Sequence, residues 1–194
     1  MCIRDRRKAA ERNCAIAGSV AVCENGNYYN RFYFVHPDGA VQHYDKKHLF
    51  TFGGEHKRFT AGTERVVVNF RGVRILLEVC YDLRFPVWSR NLGDYDMILY
   101  VASWPTPRVD AWSALLRARA IENQCYVAGV NRMGTDPTCE YSGGSAIIDP
   151  YGKTIAECPW SRESAVSADI DMEALQAFRK KFPVLDDADP FTLI

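Results

Sequence analysis

The chain has 194 residues, of which 47% are hydrophobic and 25% charged, and this composition suits one soluble domain with a substantial core. Its 24 basic and 24 acidic residues give zero formal net charge, and without a basic run the chain has no electrostatic attraction for nucleic acid. Seven cysteines without CxxC pairs, and the lack of a long apolar stretch, argue against a disulfide framework, a zinc site and a membrane span, and predict a cytoplasmic protein.

The first half of the chain predicts mainly strands. Residues 4–13 are rich in helix formers and indicate the end of a helix. Apolar or alternating segments separated by turn residues predict strands at 14–22, 28–35, 40–44, 65–70 and 73–80. The small apolar residues of 14–22 favour burial on both faces of that strand. The polar loop 46–62 is long for a compact chain, which is more typical of a functional loop than of a simple connection.

The second half predicts strands alternating with helices. A short helix at 87–92 precedes a strand at 97–102, and after Pro105-Thr106-Pro107 the apolar residues of 109–124 recur at helical spacing. Further strands are predicted at 125–130, 143–148, 153–157 and 164–170, with Asp171 placed to cap a final helix over 172–181. We therefore expect a mixed α/β sandwich with two sheets inside and helices outside. Because strands outnumber helices, too few helices are available to cover the sheets. The sequence therefore predicts either an oligomer or a domain with a part absent.

Cys80 stands at a position where α/β folds place nucleophiles. It follows an apolar run, and the chain then turns polar at Tyr81-Asp82 before Pro86 ends any strand. The C-terminal end of a buried strand is a common place for a catalytic thiol. A buried structural cysteine is the alternative, since free cysteines are often buried.

Lys46 and Glu55, in the loop 46–62, are the groups that a thiol nucleophile would need nearby. Such a thiol requires a base to take its proton and a donor or cation facing the oxyanion that develops. Taken singly, each residue also fits a plainer role, Lys46 as a solvated loop lysine and Glu55 as a surface carboxylate. His48, between charged and apolar neighbours, fits a structural histidine.

Several segments together resemble the nitrilase, or carbon–nitrogen hydrolase, superfamily over residues 14–182. The segment 44–50 is similar to its lysine motif, Glu55 with Phe59 and Gly62 to its second-glutamate loop, and 80–86 to its nucleophile elbow. Residues 117–124 and 143–145 match two further blocks. The segments 102–105 and 181–183 are most similar to the omega-amidase branch, which hydrolyses the terminal amide of 2-oxoglutaramate and 2-oxosuccinamate.

The resemblance implies an α-β-β-α sandwich that forms a homodimer, sheet against sheet, and a Cys-Lys-Glu mechanism without metal or organic cofactor. Cys80 would attack a small-molecule amide and form a thioester. Lys46, with the backbone N–H of Tyr81, would stabilise the oxyanion, and Glu55 would hold Lys46 and orient the substrate amide or water. No nucleic acid or membrane partner is implied.

Two further residues are candidates for the substrate pocket. The resemblance implies that Trp104 forms a pocket wall and that Arg84 contacts a substrate carboxylate. Both residues also fit structural roles, and Arg84 in particular is placed to pair with Asp82 or with a helix end.

The sequence departs from the family pattern at the general base. The family's base is a glutamate in an N-terminal motif, and none of the 45 residues before Lys46 resembles it. We therefore expect residues 1–13 to be a non-matching leader and helix remnant, and 14–194 to be a partial domain lacking the first strand and helices. This N-terminally truncated chain would have impaired activity.

Glu78 is the one carboxylate close to Cys80 in the predicted strand, and alternation would place both on one face. A structural pairing with Arg74 or Arg65 is favoured over a role as substitute base, because Glu78 and Cys80 stand about 7 Å apart at their Cα atoms.

The competing functions are an N-carbamoyl amino-acid amidohydrolase or another aliphatic amidase and, from a different class, an inactive fragment serving as an interaction module. A thiol redox protein is excluded because Cys80 has no CxxC partner.

Overall fold

The computed structural model describes residues 3–192. Its helices, in chain order, are α1 (Ile3–Arg12), α2 (Pro86–Ser89), α3 (Val109–Glu122) and α4 (Met172–Lys181). Its strands are β1 (Ile16–Glu24), β2 (Asn27–Val35), β3 (Val41–Asp45), β4 (Val67–Phe70), β5 (Val73–Val79), β6 (Met97–Ala102), β7 (Tyr126–Asn131), β8 (Met133–Thr135), β9 (Glu140–Ser142), β10 (Ala146–Ile148) and β11 (Thr154–Glu157).

The strands form two main sheets. The smaller sheet has the order β1-β2-β3 and is antiparallel, while the larger has the order β11-β10-β7-β6-β5-β4. In the larger sheet β5, β6 and β7 run parallel, and their carboxyl ends therefore meet at one edge, where ligand sites of α/β folds form. Strands β8 and β9 form a separate hairpin after this edge.

Two apolar layers hold the architecture together. One lies between the two sheets and includes Phe32 and Tyr44 from the smaller sheet and Leu77 from the larger. The other lies between the larger sheet and α3, where Trp112 and Leu116 are buried. The predicted mixed α/β sandwich, with sheets inside and helices outside, is confirmed.

Close packing of α3 against β7 depends on a glycine. A Cβ built on Gly129 would stand 2.6 Å from Leu116 and 2.8 Å from the Trp112 ring, so a larger residue would push the helix away from the sheet.

Most predicted elements are confirmed, with boundaries that differ by a few residues. The N-terminal helix is present as α1, and both early hairpins form. The final helix is α4, and Asp171 caps it by accepting a hydrogen bond at its Oδ1 from the backbone N–H of Ala174 at 2.8 Å.

Two strand predictions are wrong, and one hairpin was not predicted. Residues 164–170 form no strand, and most of their side chains are exposed. Strand β1 is not buried on both faces, because it forms an edge of the three-stranded sheet and most of its residues are half-buried or exposed. Between the strands predicted at 125–130 and 143–148, where no element is predicted, the chain forms the β8–β9 hairpin. Within residues 3–192, no helix has the length and apolar character needed to cross a membrane.

Candidate active site

Cys80 occupies a sharp turn directly after β5. Its φ is +50°, a left-handed conformation uncommon for residues other than glycine, and a 3-10 helix, Cys80–Arg84, begins at it. Such conformations are often found at functional sites. Cys80 lines a cavity of about 320 Å³, which we call the Cys80 cavity, and its Sγ contacts the carbonyl oxygen of Ser103 at 3.9 Å. The turn therefore points the thiol into a space large enough for a small molecule.

Lys46 enters the same cavity from the end of β3. Its backbone N–H donates to the carbonyl of Asn30 at 3.0 Å, and its own carbonyl accepts from the N–H of Gly62 at 2.9 Å. A Cβ on Gly62 would stand 2.0 Å from the carbonyl oxygen of Asp45, so only glycine permits this close approach. The Lys46 side chain is only 3% exposed, and these backbone contacts fix where it leaves the sheet.

Glu55 is the ion-pair partner of Lys46. Its Oε2 accepts hydrogen bonds from the Lys46 ammonium and from the backbone N–H of Phe50, both at 2.6 Å, and its Oε1 accepts from the Asn30 amide at 3.2 Å. Both carboxylate oxygens are therefore occupied. Across residues 3–192, Glu55 is the one carboxylate that lines the Cys80 cavity.

The thiol of Cys80 is in a partly apolar, enclosed environment. Burial raises its pKa above the usual value of a thiol, and the nearby ammonium of Lys46 opposes that rise. The thiol form therefore dominates at neutral pH, and a deprotonation step must precede any nucleophilic attack.

Asp82 joins the segment carrying the lysine to the turn carrying the cysteine. Its Oδ2 accepts from the Tyr44 hydroxyl at 2.8 Å and from the backbone N–H of Val79 at 3.0 Å. Its Oδ1 accepts from the backbone N–H of His48 at 2.9 Å and lies 2.8 Å from the Nδ1 of that ring, which donates because a carboxylate can only accept. The His48 ring stacks on Phe85 with centroids 3.8 Å apart. The structural role predicted for His48 is confirmed.

Replacement of Asp82 by asparagine is expected to lower the free energy of unfolding by about 3 kcal/mol. The amide would place an NH₂ group against N–H and O–H donors in a fully buried position, where no water can compensate. Urea denaturation followed by circular dichroism measures the change. The control, Asp94→Asn, removes a partly exposed ion pair with Arg65 and is expected to cost at most about 1 kcal/mol. Equal destabilisation by both variants would contradict the role assigned to Asp82.

The predicted pairing of Glu78 with Arg74 or Arg65 is wrong. Arg74 pairs with Asp96 at 2.7 Å and Arg65 with Asp94, both near the opposite end of the strand. Both arginines are therefore engaged by carboxylates of the segment before β6 rather than by Glu78.

Glu78 instead lies on the α3 side of the larger sheet. Its Oε2 accepts from the Ser89 hydroxyl, which lies 3.1 Å from the hydroxyl of Tyr100. It does not line the Cys80 cavity, because the strand alternation ends at Val79 and the turn at Cys80 redirects the thiol.

Glu78→Gln is expected to change how stability depends on pH. Burial, reinforced by the charge of Asp82, raises the pKa of Glu78 from 4.5 to about 8. The folded protein therefore binds more protons than the unfolded chain, and its stability falls as pH rises from about 4.5 to about 8, by at most about 1.4 kcal/mol per pH unit. Glutamine resembles the protonated acid and removes this decline.

Urea denaturation at pH 5, 6.5 and 8 measures the effect, and the exposed Glu173→Gln is the matched control. Parallel pH profiles for the wild-type protein and Glu78→Gln would show that Glu78 does not titrate in this window. The same variant is expected to leave alkylation of Cys80 by iodoacetamide unchanged, because Glu78 does not face the thiol.

The three remaining predicted residues, Tyr81, Trp104 and Arg84, all line the Cys80 cavity. Trp104 is buried, and its indole N–H donates to the carbonyl of Arg108 at 2.6 Å. The Arg84 guanidinium lies over the Trp104 ring, 5.0 Å from its centroid. The alternative pairing of Arg84 with Asp82 is not found, because the Asp82 oxygens already accept from other donors.

Three residues of the site were missed by sequence reasoning. Asn30 reaches Glu55 from β2, whereas Arg108 and Tyr141 line the Cys80 cavity from the segments after β6 and β7. Arg108 directly follows the proline-rich segment Pro105-Thr106-Pro107, which ends regular structure before α3. That break in the chain was the one sequence feature that pointed to this position. Asn30 had no such signal, since it stands in an otherwise ordinary hairpin.

The chemistry of the site centres on the Cys80 thiol, the Lys46 ammonium and the Glu55 carboxylate. Within residues 3–192 no cluster of three or more histidine, cysteine, aspartate or glutamate side chains has a geometry that could hold a metal ion. The described cysteines, Cys14, Cys23, Cys80, Cys125, Cys139 and Cys158, are all free thiols. A cysteine beside a buried lysine–glutamate pair, at the carboxyl edge of a parallel sheet, is an arrangement suited to acyl transfer.

Comparison with known proteins defines the class. The sequence model of the carbon-nitrogen hydrolase family matches residues 6–180. A protein named omega-amidase YafV from Escherichia coli K12 is 54% identical over 187 residues, which cover 96% of this chain and 73% of the relative. A 2-oxoglutaramate amidase from Bacillus subtilis is 42% identical, over 89% of this chain and 67% of the relative.

A solved structure supports the same assignment. The crystal structure of a CN-hydrolase superfamily protein from Xanthomonas campestris, which has an arsenic adduct in its active site, superimposes with a TM-score of 0.94. The two proteins are 46% identical, and the match covers 97% of this chain and 74% of that one. The chain belongs to the carbon–nitrogen hydrolase family of the nitrilase superfamily. Within that family it is an amidase enzyme similar to the omega-amidases.

Proposed function

We propose that the protein hydrolyses the terminal amide of ω-amides of 2-oxo dicarboxylic acids, such as 2-oxoglutaramate and 2-oxosuccinamate, through a thioester on Cys80. The observation that carries the proposal is the buried Lys46–Glu55 pair, 2.6 Å apart, lining the same cavity as the Cys80 thiol. The names of the Escherichia coli and Bacillus subtilis relatives support the substrate class.

In the first half of the reaction the Cys80 thiol loses its proton and the sulfur attacks the amide carbon. A carbon–sulfur bond forms, and the carbonyl oxygen becomes an oxyanion that faces the Lys46 ammonium and the backbone N–H of Tyr81. That N–H lies in the first turn of a 3-10 helix, where N–H groups have no acceptor within the helix. The carbon–nitrogen bond then breaks, and ammonia leaves with the proton taken from the thiol.

In the second half water attacks the thioester carbon and the carbon–sulfur bond breaks. One proton of the water returns to the sulfur, and the product leaves as a carboxylic acid, which ionises to the carboxylate. Glu55 holds the Lys46 ammonium in place in both halves and orients the amide or the water. Arg84 contacts the substrate carboxylate, and Trp104 forms the pocket wall.

Deprotonation of the thiol is proposed to be slow in this protein. Glu55 already accepts hydrogen bonds at both oxygens, and burial raises the pKa of Cys80. Within residues 3–192 no second carboxylate lines the Cys80 cavity to take the proton, and reaction without a general base is slower by roughly 10²–10⁴-fold, so we expect turnover well below that of the Escherichia coli relative.

Release of ammonia from 2-oxoglutaramate, from an N-carbamoyl amino acid and from butyramide tests the proposal. We expect 2-oxoglutaramate to be the preferred substrate, at a rate at least about 10²-fold below that of the Escherichia coli omega-amidase assayed in parallel. Preference for the N-carbamoyl compound would contradict the substrate assignment, and a rate equal to that of the relative would contradict slow deprotonation. The homodimer, the lack of a nucleic-acid partner and the cytoplasmic location stay predictions.

A further inference from the structure

The Cys80 cavity carries more positive charge than the proposed chemistry needs. Its charged lining residues are Lys46, Glu55, Arg84 and Arg108. Lys46 and Glu55 neutralise each other at 2.6 Å. Neither arginine forms an ion pair with any carboxylate of the residues that the structure describes. Two unpaired guanidinium groups therefore line one cavity of about 320 Å³.

Aromatic rings support both guanidinium groups. Arg84 lies 5.0 Å from the centroid of Trp104, and Arg108 lies 5.3 Å from the centroid of Phe50. A guanidinium stacked on a ring keeps its N–H edge free to donate, and the ring restricts its rotamers. The indole N–H of Trp104 also donates to the backbone carbonyl of Arg108, which joins the ring beneath Arg84 to the backbone of the second arginine. The pair is thus positioned before any ligand binds.

We propose that Arg108 acts with Arg84 as an anion-binding pair that determines specificity for a carboxylate adjacent to a carbonyl. A 2-oxo acid presents three neighbouring acceptor oxygens, and two guanidinium edges supply enough donors for all of them. A 2-amino acid would place an ammonium beside two cations, which is repulsive. The inference rests on the proposed function and deepens it, since it identifies a residue that selects 2-oxo over 2-amino substrates.

Isothermal titration with 2-oxoglutarate, glutamate and butyramide tests the pair without requiring turnover. The wild-type protein is expected to bind 2-oxoglutarate at least about tenfold more tightly than glutamate. Arg108→Gln is expected to weaken 2-oxoglutarate binding roughly 30-fold and to reduce the preference for 2-oxoglutarate over glutamate. Butyramide binding is expected to change less than about twofold. The matched control is Arg117→Gln, which removes an exposed arginine of α3 and is expected to bind all three ligands as the wild type does.

Arg108→Lys separates charge from geometry, because lysine keeps the cation but loses the planar fork. It is expected to bind 2-oxoglutarate with intermediate affinity, and circular dichroism checks that each variant is folded. The proposal would be overturned if the wild-type protein did not prefer 2-oxoglutarate over glutamate. It would also be overturned if Arg108→Gln bound 2-oxoglutarate as tightly as the wild type does. Because binding needs no thiol chemistry, a protein that binds 2-oxoglutarate selectively but never releases ammonia would count against the proposed function alone.

Discussion

Cys80→Ala is expected to lower ammonia release from 2-oxoglutaramate by roughly 10⁴-fold or more, to the background rate. Alanine removes the sulfur that forms the acyl bond. Within residues 3–192 one further cysteine, Cys139, lines the Cys80 cavity, and it lies in the turn between β8 and β9, where its backbone N–H donates to Asp136. The substitution is small, and Cys80 is only half-buried, so the fold is expected to persist. Initial rates with saturating substrate measure the loss.

The exposed Cys23 of β1 supplies the matched control for thiol removal. Cys23→Ser is expected to retain wild-type turnover and wild-type binding of 2-oxoglutarate. Cys80→Ala is expected to retain the binding alone, because Arg84 and Arg108 are unaltered. Turnover by Cys80→Ala within tenfold of the wild type would exclude Cys80 as the nucleophile.

Lys46→Met is expected to lower turnover by roughly 10²–10³-fold, the usual consequence of losing one oxyanion donor. Methionine has a similar length but no charge, so the variant leaves Glu55 without its ion-pair partner. A second consequence concerns the thiol. The Lys46 ammonium opposes the rise in the pKa of Cys80, so its removal raises that pKa further. At pH 8 the fraction of thiolate, and with it the rate of alkylation of Cys80 by iodoacetamide, is expected to fall.

Lys47→Met is the control for Lys46→Met. The neighbouring ammonium lies 5.4 Å from the centroid of Trp88, outside the Cys80 cavity, and its loss is expected to leave both turnover and alkylation unchanged. If Lys46→Met and Lys47→Met gave the same turnover, the oxyanion role of Lys46 would be wrong. If turnover fell in Lys46→Met without slower alkylation, the influence of Lys46 on the thiol would be wrong.

Much of the site could be predicted because its residues lie in short, contiguous segments. The turn at Cys80 follows an apolar run that ends in polar residues and a proline, and this local pattern predicts a strand end. The loop with Lys46 and Glu55 contains Gly62, which the close approach to Asp45 requires. Strand ends and loops of this kind can be predicted from short stretches of sequence. The structure brings these segments to one cavity.

Contacts between distant segments could not be predicted in the same way. Glu78 pairs with Ser89 rather than with an arginine of its own hairpin, because the residue facing it is set by the packing of α2 against the sheet. Residues 164–170 alternate like a strand but lie where no neighbouring strand pairs with them. Asn30 joins the site through tertiary packing alone, and no local pattern marks Glu55 as its partner.

Trapping the acyl intermediate tests the nucleophilic role of Cys80 most directly. The protein is mixed with excess 2-oxoglutaramate, quenched in acid during turnover, digested and analysed by mass spectrometry. We predict an adduct with the mass of the 2-oxoglutaryl group on the peptide that contains Cys80, released by hydroxylamine and absent from Cys80→Ala. An adduct on another residue that persists in Cys80→Ala, together with ammonia release by that variant at the wild-type rate, would contradict the account.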